Sequence, residues 1–167
     1  MNTGIIAHEI GHLSVWMAEN PDLQRGWIRP AQDNDGETEL LCPTATECGL
    51  VDVIFACAFA FAETNTTLAG KIALLSSEAV GAIFDAIVAS NEPELWASTL
   101  HASDDDIAIL RAAGDIRPQL WHSALTLGVL MVKSRGHTKR MAGMLATYKR
   151  DGVLQLTRGD IGRMIPS

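Results

Sequence analysis

The sequence predicts one mainly α-helical domain over residues 1–167, with a small β-hairpin near its N-terminus. Three observations predict it. Apolar residues recur at helical intervals in the first stretch and again, almost without break, from Thr44 onward. Two short, partly alternating stretches, "RGWIRP" and "ETELLCP", flank the turn-rich "AQDNDG", and each closes on a proline. No internal repeat or low-complexity linker divides the chain.

Each element has a local reason. Ile5, Ile6, Leu13 and Met17 make the stripe of a first helix, which Asn2 or Thr3 can cap. It should end near Asn20, because Pro21 disfavours helical geometry in the residue before it. The two strands close at Pro30 and Pro43. "TATECGLVDVIFACAFAFAE" alternates Ala and Phe as a strand might. Its length and alanine content favour a buried helix instead, with Phe55 and Phe59 on one face. "TNTT" breaks that helix, a single helix runs through "LAGKIALLSSEAVGAIFDAIVAS", and "NEPELW" interrupts again. In "HASDDDIAILRAAG", Ser103 is placed to cap a further helix with Asp106 as the reciprocal partner of a capping box, and three acids sit at the positive end of the helix dipole. A helix from Gln119 to Arg135, another in "GHTKRMAGMLATYKRDG" and a short closing one in "TRGDIGRMI" complete the chain.

The composition narrows the function. At 167 residues the chain can bury a core without disulfides or a metal staple. Its 47% apolar and 20% charged residues are those of an ordinary globular protein, not a disordered one. A net charge of -7 argues against nucleic acid as a partner. The longest apolar run, Val53 to Ala62, is about half of a bilayer crossing, and no secretory leader opens the sequence, so no membrane association is expected. Cys42, Cys48 and Cys57 are odd in number and lack paired spacing; they read as reduced, buried thiols of a cytoplasmic protein.

The chemistry lies in "HEIGH". On a helix, His8 and His12 point from the same face, so two imidazole nitrogens can converge on one zinc ion, with Glu9 beside them as general base. Gly11 leaves a gap where a substrate or a neighbouring backbone can approach. A catalytic zinc takes a third protein ligand, and "HASDDDI" offers His101, Asp104, Asp105 and Asp106 within six residues.

With these residues in view, the chain resembles the peptidase domain of the FtsH-type ATP-dependent zinc metalloproteases. "HEIGHLSVWMAENPDLQRGWIRPAQ" is similar to their catalytic helix and first strand, and "GETELLCP" to the second strand. "LAGKIA" resembles a Leu-Gly-Gly-Arg-x-Ala segment, "ASDDDI" an Ala-Ser-Asn-Asp-Leu segment, and "HTKRMAGMLATYKRDGVLQLTRGDIGRMI" the C-terminal helices. The resemblance spans nearly the whole chain and implies a helical zinc endopeptidase with Zn2+ as cofactor, His8 and His12 as ligands, and Glu9 as base. The third ligand it implies falls in "SDDDI". Matching forward from Ala102-Ser103 selects Asp105; matching backward from the following aliphatic residue selects Asp106, which also sets Ile107, Leu110 and Ala113 on one stripe and is preferred.

Two departures matter. Leu74 and Leu75 stand where the family has paired glutamates, one of which supports the metal site; Glu63 or Glu78 could supply that carboxylate. No P-loop is present, so the expected substrates are unfolded or small peptides, unless an ATPase on a separate chain feeds the site. A homo-oligomer is compatible with the family. A peptide is expected to lie extended along "GWIRP", with Trp16 and Trp27 as pocket walls or core residues. The alternative is an inactive scaffold or interaction module, using for example the basic "KSRGHTKR".

Overall fold

The computed structural model describes residues 2–31, 38–43, 48–114 and 117–166. They form a mainly helical domain with one small antiparallel sheet, in the order α1 (Thr3–Glu19), β1 (Arg25–Pro30), β2 (Thr38–Leu41), α2 (Leu50–Thr64), α3 (Thr66–Ile72), α4 (Ser77–Ala89), α5 (Pro93–Thr99), α6 (Asp104–Ala112), α7 (Pro118–Lys133), α8 (His137–Asp151), β3 (Leu154–Thr157) and α9 (Arg158–Met164).

α1 begins where expected: the Asn2 side chain accepts hydrogen bonds from the Gly4 and Ile5 amides. It packs flat on α2, and Gly11 is why. A Cβ there would stand 2.5 Å from the Ala56 backbone nitrogen, so the two helices touch backbone to backbone. On its other side α2 meets α7, where Gly128 faces Ala62 and Phe59. Enclosed from both directions, α2 buries nearly every residue from Val53 to Ala62. That accounts for its Ala-Phe composition: small residues let helices approach, and Phe55 and Phe59, with centroids 5.9 Å apart, join the two halves of the core. The first half gathers around α2, α4 and α7; the second joins α1 to the sheet, α8 and α9.

Four expectations need correction. The helix predicted from Thr44 begins at Leu50, with Gly49 at its cap; residues 44–47, like residues 32–37 where the turn was expected, lie outside the described residues. The single helix predicted over "LAGKIALLSSEAVGAIFDAIVAS" is two, α3 and α4. Ser76 caps the second, while His122 from α7 bonds the Ala73 carbonyl at 2.8 Å and Ser77 Oγ at 2.9 Å, satisfying groups that the break frees. "NEPELW" is not merely an interruption, because Pro93 opens α5 at a position where the missing N–H does no harm.

The fourth correction concerns the sheet. The hairpin is joined by β3, giving the order β2-β1-β3, both pairings antiparallel. Leu154 and Leu156 point into the core and Gln155 away, a two-residue alternation in a very short segment. Arg158, directly after β3, then reaches the end of α1. Its guanidinium donates to the carbonyls of Met17, Asn20 and Leu23, and its amide to Gln24. A cation at a helix C-terminus meets both terminal carbonyls and the negative end of the dipole.

Candidate metal centre

Three elements supply the centre. α1 carries His8, Glu9 and His12; the start of α2 carries Asp52; the start of α6 carries Asp106. All five side chains are buried or nearly so, with His8 and His12 only 3% and 4% exposed.

Each imidazole is oriented through its Nδ1. His8 Nδ1 donates to the Leu100 carbonyl at 3.0 Å, and His12 Nδ1 donates to Asp52 Oδ2 at 2.7 Å. Both Nε2 atoms are thereby turned to one point. They lie 3.2 Å apart, His8 Nε2 is 3.1 Å from Asp106 Oδ2, and His12 Nε2 is 3.8 Å from Asp106 Oδ1. Two ligands at tetrahedral angles on a zinc bonded at about 2.0–2.1 Å stand about 3.3 Å apart; the 3.2 and 3.1 Å spacings around His8 match that, while the 3.8 Å spacing from His12, to the other carboxylate oxygen, is wider. A positive charge, proton or metal ion, is what such a triangle of lone pairs calls for.

Asp106 is fixed by the capping box read from the sequence. Its amide donates to Ser103 Oγ, and its carboxylate accepts the Ser103 amide, each at 3.1 Å. Burial by itself would raise this carboxyl. The hydrogen bond and charge of His8, then the His12 charge and the Ser103 amide, outweigh it and hold the group down at about 2. Glu9 is the opposite case: burial pushes it up to about 7, with the His8 charge pulling down and Asp106 pushing up. A carboxyl near neutrality, without a hydrogen-bond partner among the described residues, is free to take up and release a proton.

The centre opens on a cleft of about 500 Å³, lined by α1, β2 and the loop before α6. Trp16 is buried beside His12, with ring centroids 5.4 Å apart, and it also walls the cleft, so it is core residue and pocket wall at once. Trp27 does not reach the cleft. Its indole donates to Gln155, and Arg25 lies over its ring.

The remaining sequence candidates fall elsewhere. Asp105 is exposed at the cleft rim and Asp104 is exposed on the first turn of α6; neither joins the triangle. His101 lines the cleft without joining it. Glu63 does not support the centre: it pairs with the buried His137 at 2.6 Å. Glu78 lies on the first turn of α4, away from the cleft. The carboxylate that supports a histidine is Asp52, which the sequence reading missed. Its signal was an acid in the first turn of an otherwise apolar stretch, and its Oδ1 also accepts the Gly49 amide at 2.7 Å and so caps α2. Leu74, which the resemblance sets where a glutamate was expected, is 88% exposed at the α3–α4 break. The basic segment is divided as well, since His137 is buried and Arg140 folds back onto the Arg135 carbonyl.

Cys48, exposed beside the cleft rather than buried as expected, forms a second group of ligand-type atoms with His12 and Asp52. Partial burial and the charges of Asp52, Asp106 and Glu9 push its thiol up to about 12, so it sits there protonated. None of the three cysteines forms a disulfide. No helix of the described residues is long and apolar enough to cross a membrane. No protein-family model, curated protein or solved structure matches the chain.

Proposed function

We propose that the chain is a zinc-dependent endopeptidase, with His8, His12 and Asp106 holding the ion and Glu9 moving the proton. The observation behind this reading is the convergence of His8 Nε2, His12 Nε2 and the Asp106 carboxylate, with both Nδ1 atoms already committed. Nitrogen and carboxylate donors suit zinc, and three protein ligands leave a position open for chemistry. When bound there, zinc supplies Lewis acidity towards a scissile carbonyl and acidifies water.

The chain's own groups supply the rest. Asp52 and the Leu100 carbonyl keep the two imidazoles in the ligating tautomer. Glu9 takes a proton from the attacking water and returns it to the departing amine. An extended peptide cannot add to β1, as "GWIRP" suggested, because β2 and β3 occupy both its edges. β2 has no strand on its outer side among the described residues, and Thr38, Glu39 and Leu40 line the cleft. A substrate strand added there runs past Glu9 and is held by its backbone, which suits unfolded or short peptides of loose sequence preference.

The resemblance to FtsH-type peptidase domains supports the same reading and extends it: an ATPase on another chain as feeder, and assembly with further copies. Three thiols outside any disulfide suit the reducing cytoplasm. The test is zinc content of freshly purified protein beside Glu9→Gln and Asp106→Ala, followed by proteolysis of unfolded casein. The reading requires about one zinc per chain, retained with loss of cleavage in Glu9→Gln and lost in Asp106→Ala. Absence of zinc from wild type after reconstitution would reject it and favour an interaction module.

A further inference from the structure

His101 is the single non-glycine residue among those described that adopts a positive φ, at 51°. Glycine or asparagine would hold that conformation with little strain, and strain kept in a cleft wall points to a use for the side chain. The residue sits between two supports of the centre. The Leu100 carbonyl on its N-terminal side holds His8 Nδ1, and Ser103 after it begins the capping box of Asp106.

The ring is wedged by one edge. A Cβ on Gly4 would stand 2.5 Å from His101 Nε2, 2.8 Å from its Cδ2 and 2.6 Å from Thr64 Cγ2. Only a glycine leaves room for this imidazole at the head of α1. Nε2 is buried there without a hydrogen-bond partner, whereas Nδ1 is not among the buried, unpartnered atoms. A buried N–H lacking an acceptor is rarer and less tolerated than an unpaired lone pair, so the single proton of the neutral ring belongs on Nδ1. Doubly protonated, the ring would bury an orphan N–H; burial first, then the nearby His8 charge, lowers its pKa accordingly.

We propose that His101 donates a hydrogen bond from Nδ1 to the oxygen of the scissile carbonyl as negative charge develops on it. This role rests on the peptidase reading above and adds a donor from the chain itself to the ion's charge. A neutral N–H held by a wedged ring needs no rearrangement when that charge appears.

The test uses the zinc-loaded full chain and the variants His101→Gly and His101→Asn, which suit the left-handed turn and should fold. On a fluorogenic peptide, His101→Gly should keep one zinc and its melting temperature while kcat falls about 10²-fold with KM within about threefold. His101→Asn, which carries an amide donor, should recover part of kcat. Independently of turnover, nitrogen-15 NMR of histidine-labelled Glu9→Gln protein should find the proton of His101 on Nδ1. An unchanged kcat in His101→Gly, a loss that follows zinc loss, or a proton on Nε2 would each overturn the role while leaving the peptidase reading standing. Wild type without zinc or turnover would remove both.

Discussion

Asp52 holds His12 at 2.7 Å across forty residues of sequence, and the same carboxylate caps the helix it opens. One side chain therefore sets both the tautomer of a candidate ligand and the start of the most enclosed helix. Replacing it by alanine should weaken zinc affinity about 10–100-fold, the usual effect of removing a carboxylate behind a ligating histidine. Chelator competition measures this. An affinity close to that of wild type would show that Asp52 serves the helix alone.

Asp105 and Asp106 separate cleanly by position. Asp105→Ala removes an exposed side chain and should leave zinc content unchanged and lower stability by no more than about 0.5–1 kcal/mol, whereas Asp106→Ala should remove the metal. In wild type, free zinc at about 100 times its Kd should add about 2.7 kcal/mol of stability, read as a higher melting temperature that a chelator reverses. The same shift in Asp106→Ala would place the ion elsewhere.

In the metal-free protein Glu9 links stability to pH. Its carboxyl is raised from 4.5 to about 7 by burial, so between those values the unfolded chain has lost a proton that the folded protein keeps. Stability should fall as pH rises through this window, by up to about 3 kcal/mol, and level off above about pH 7. Glu9→Gln should flatten that slope. Denaturant melts of the two apo proteins across this window and beyond it would settle the matter, parallel curves being the unfavourable result.

Arg158 joins the C-terminal strand to the end of α1 through the carbonyls of Met17, Asn20 and Leu23. Arg158→Ala should destabilise the fold by about 2–3 kcal/mol, since charged hydrogen bonds are lost and several part-buried carbonyls lose their donor together. Arg158→Lys should recover only part, having a single ammonium for several acceptors. Urea titration gives both values, and a loss under about 0.5 kcal/mol for alanine, the level of an ordinary surface substitution, would contradict the assigned role.

What the sequence revealed was local. α1 and its histidine pair were legible because cap, stripe and motif all lie within or beside one seventeen-residue helix, and the Ser103–Asp106 box because its two members are three positions apart. The hairpin strands were legible from their prolines and turn residues. What stayed hidden was tertiary. β3 is four residues long and forms only because β1 offers an edge. The break between α3 and α4 depends on His122, forty-five residues from Ser77. Asp52 carries no motif that names His12 as its partner. Glu63 and Glu78 were the carboxylates the sequence offered for that support, yet α2 turns Glu63 towards His137 and Glu78 lies on α4 away from the cleft. The backbone of His101 was equally illegible, since histidine does not announce a left-handed turn.

The pairing of β1 with β3 also bears on how the molecule is made. Every residue assigned to the ion lies at or before Asp106, but the strand and guanidinium that secure the sheet and the end of α1 come from residues 154–158. During synthesis, at roughly 5–20 residues per second, the first helix must therefore wait several seconds for these distant partners. Pairing across so long a loop is entropically costly and raises the contact order above that of a simple helical bundle. A nascent chain would thus hold the residues proposed to bind the ion well before β3 completes the sheet beside them. The frame of the sheet forms last, after the residues proposed to hold the ion have already been made.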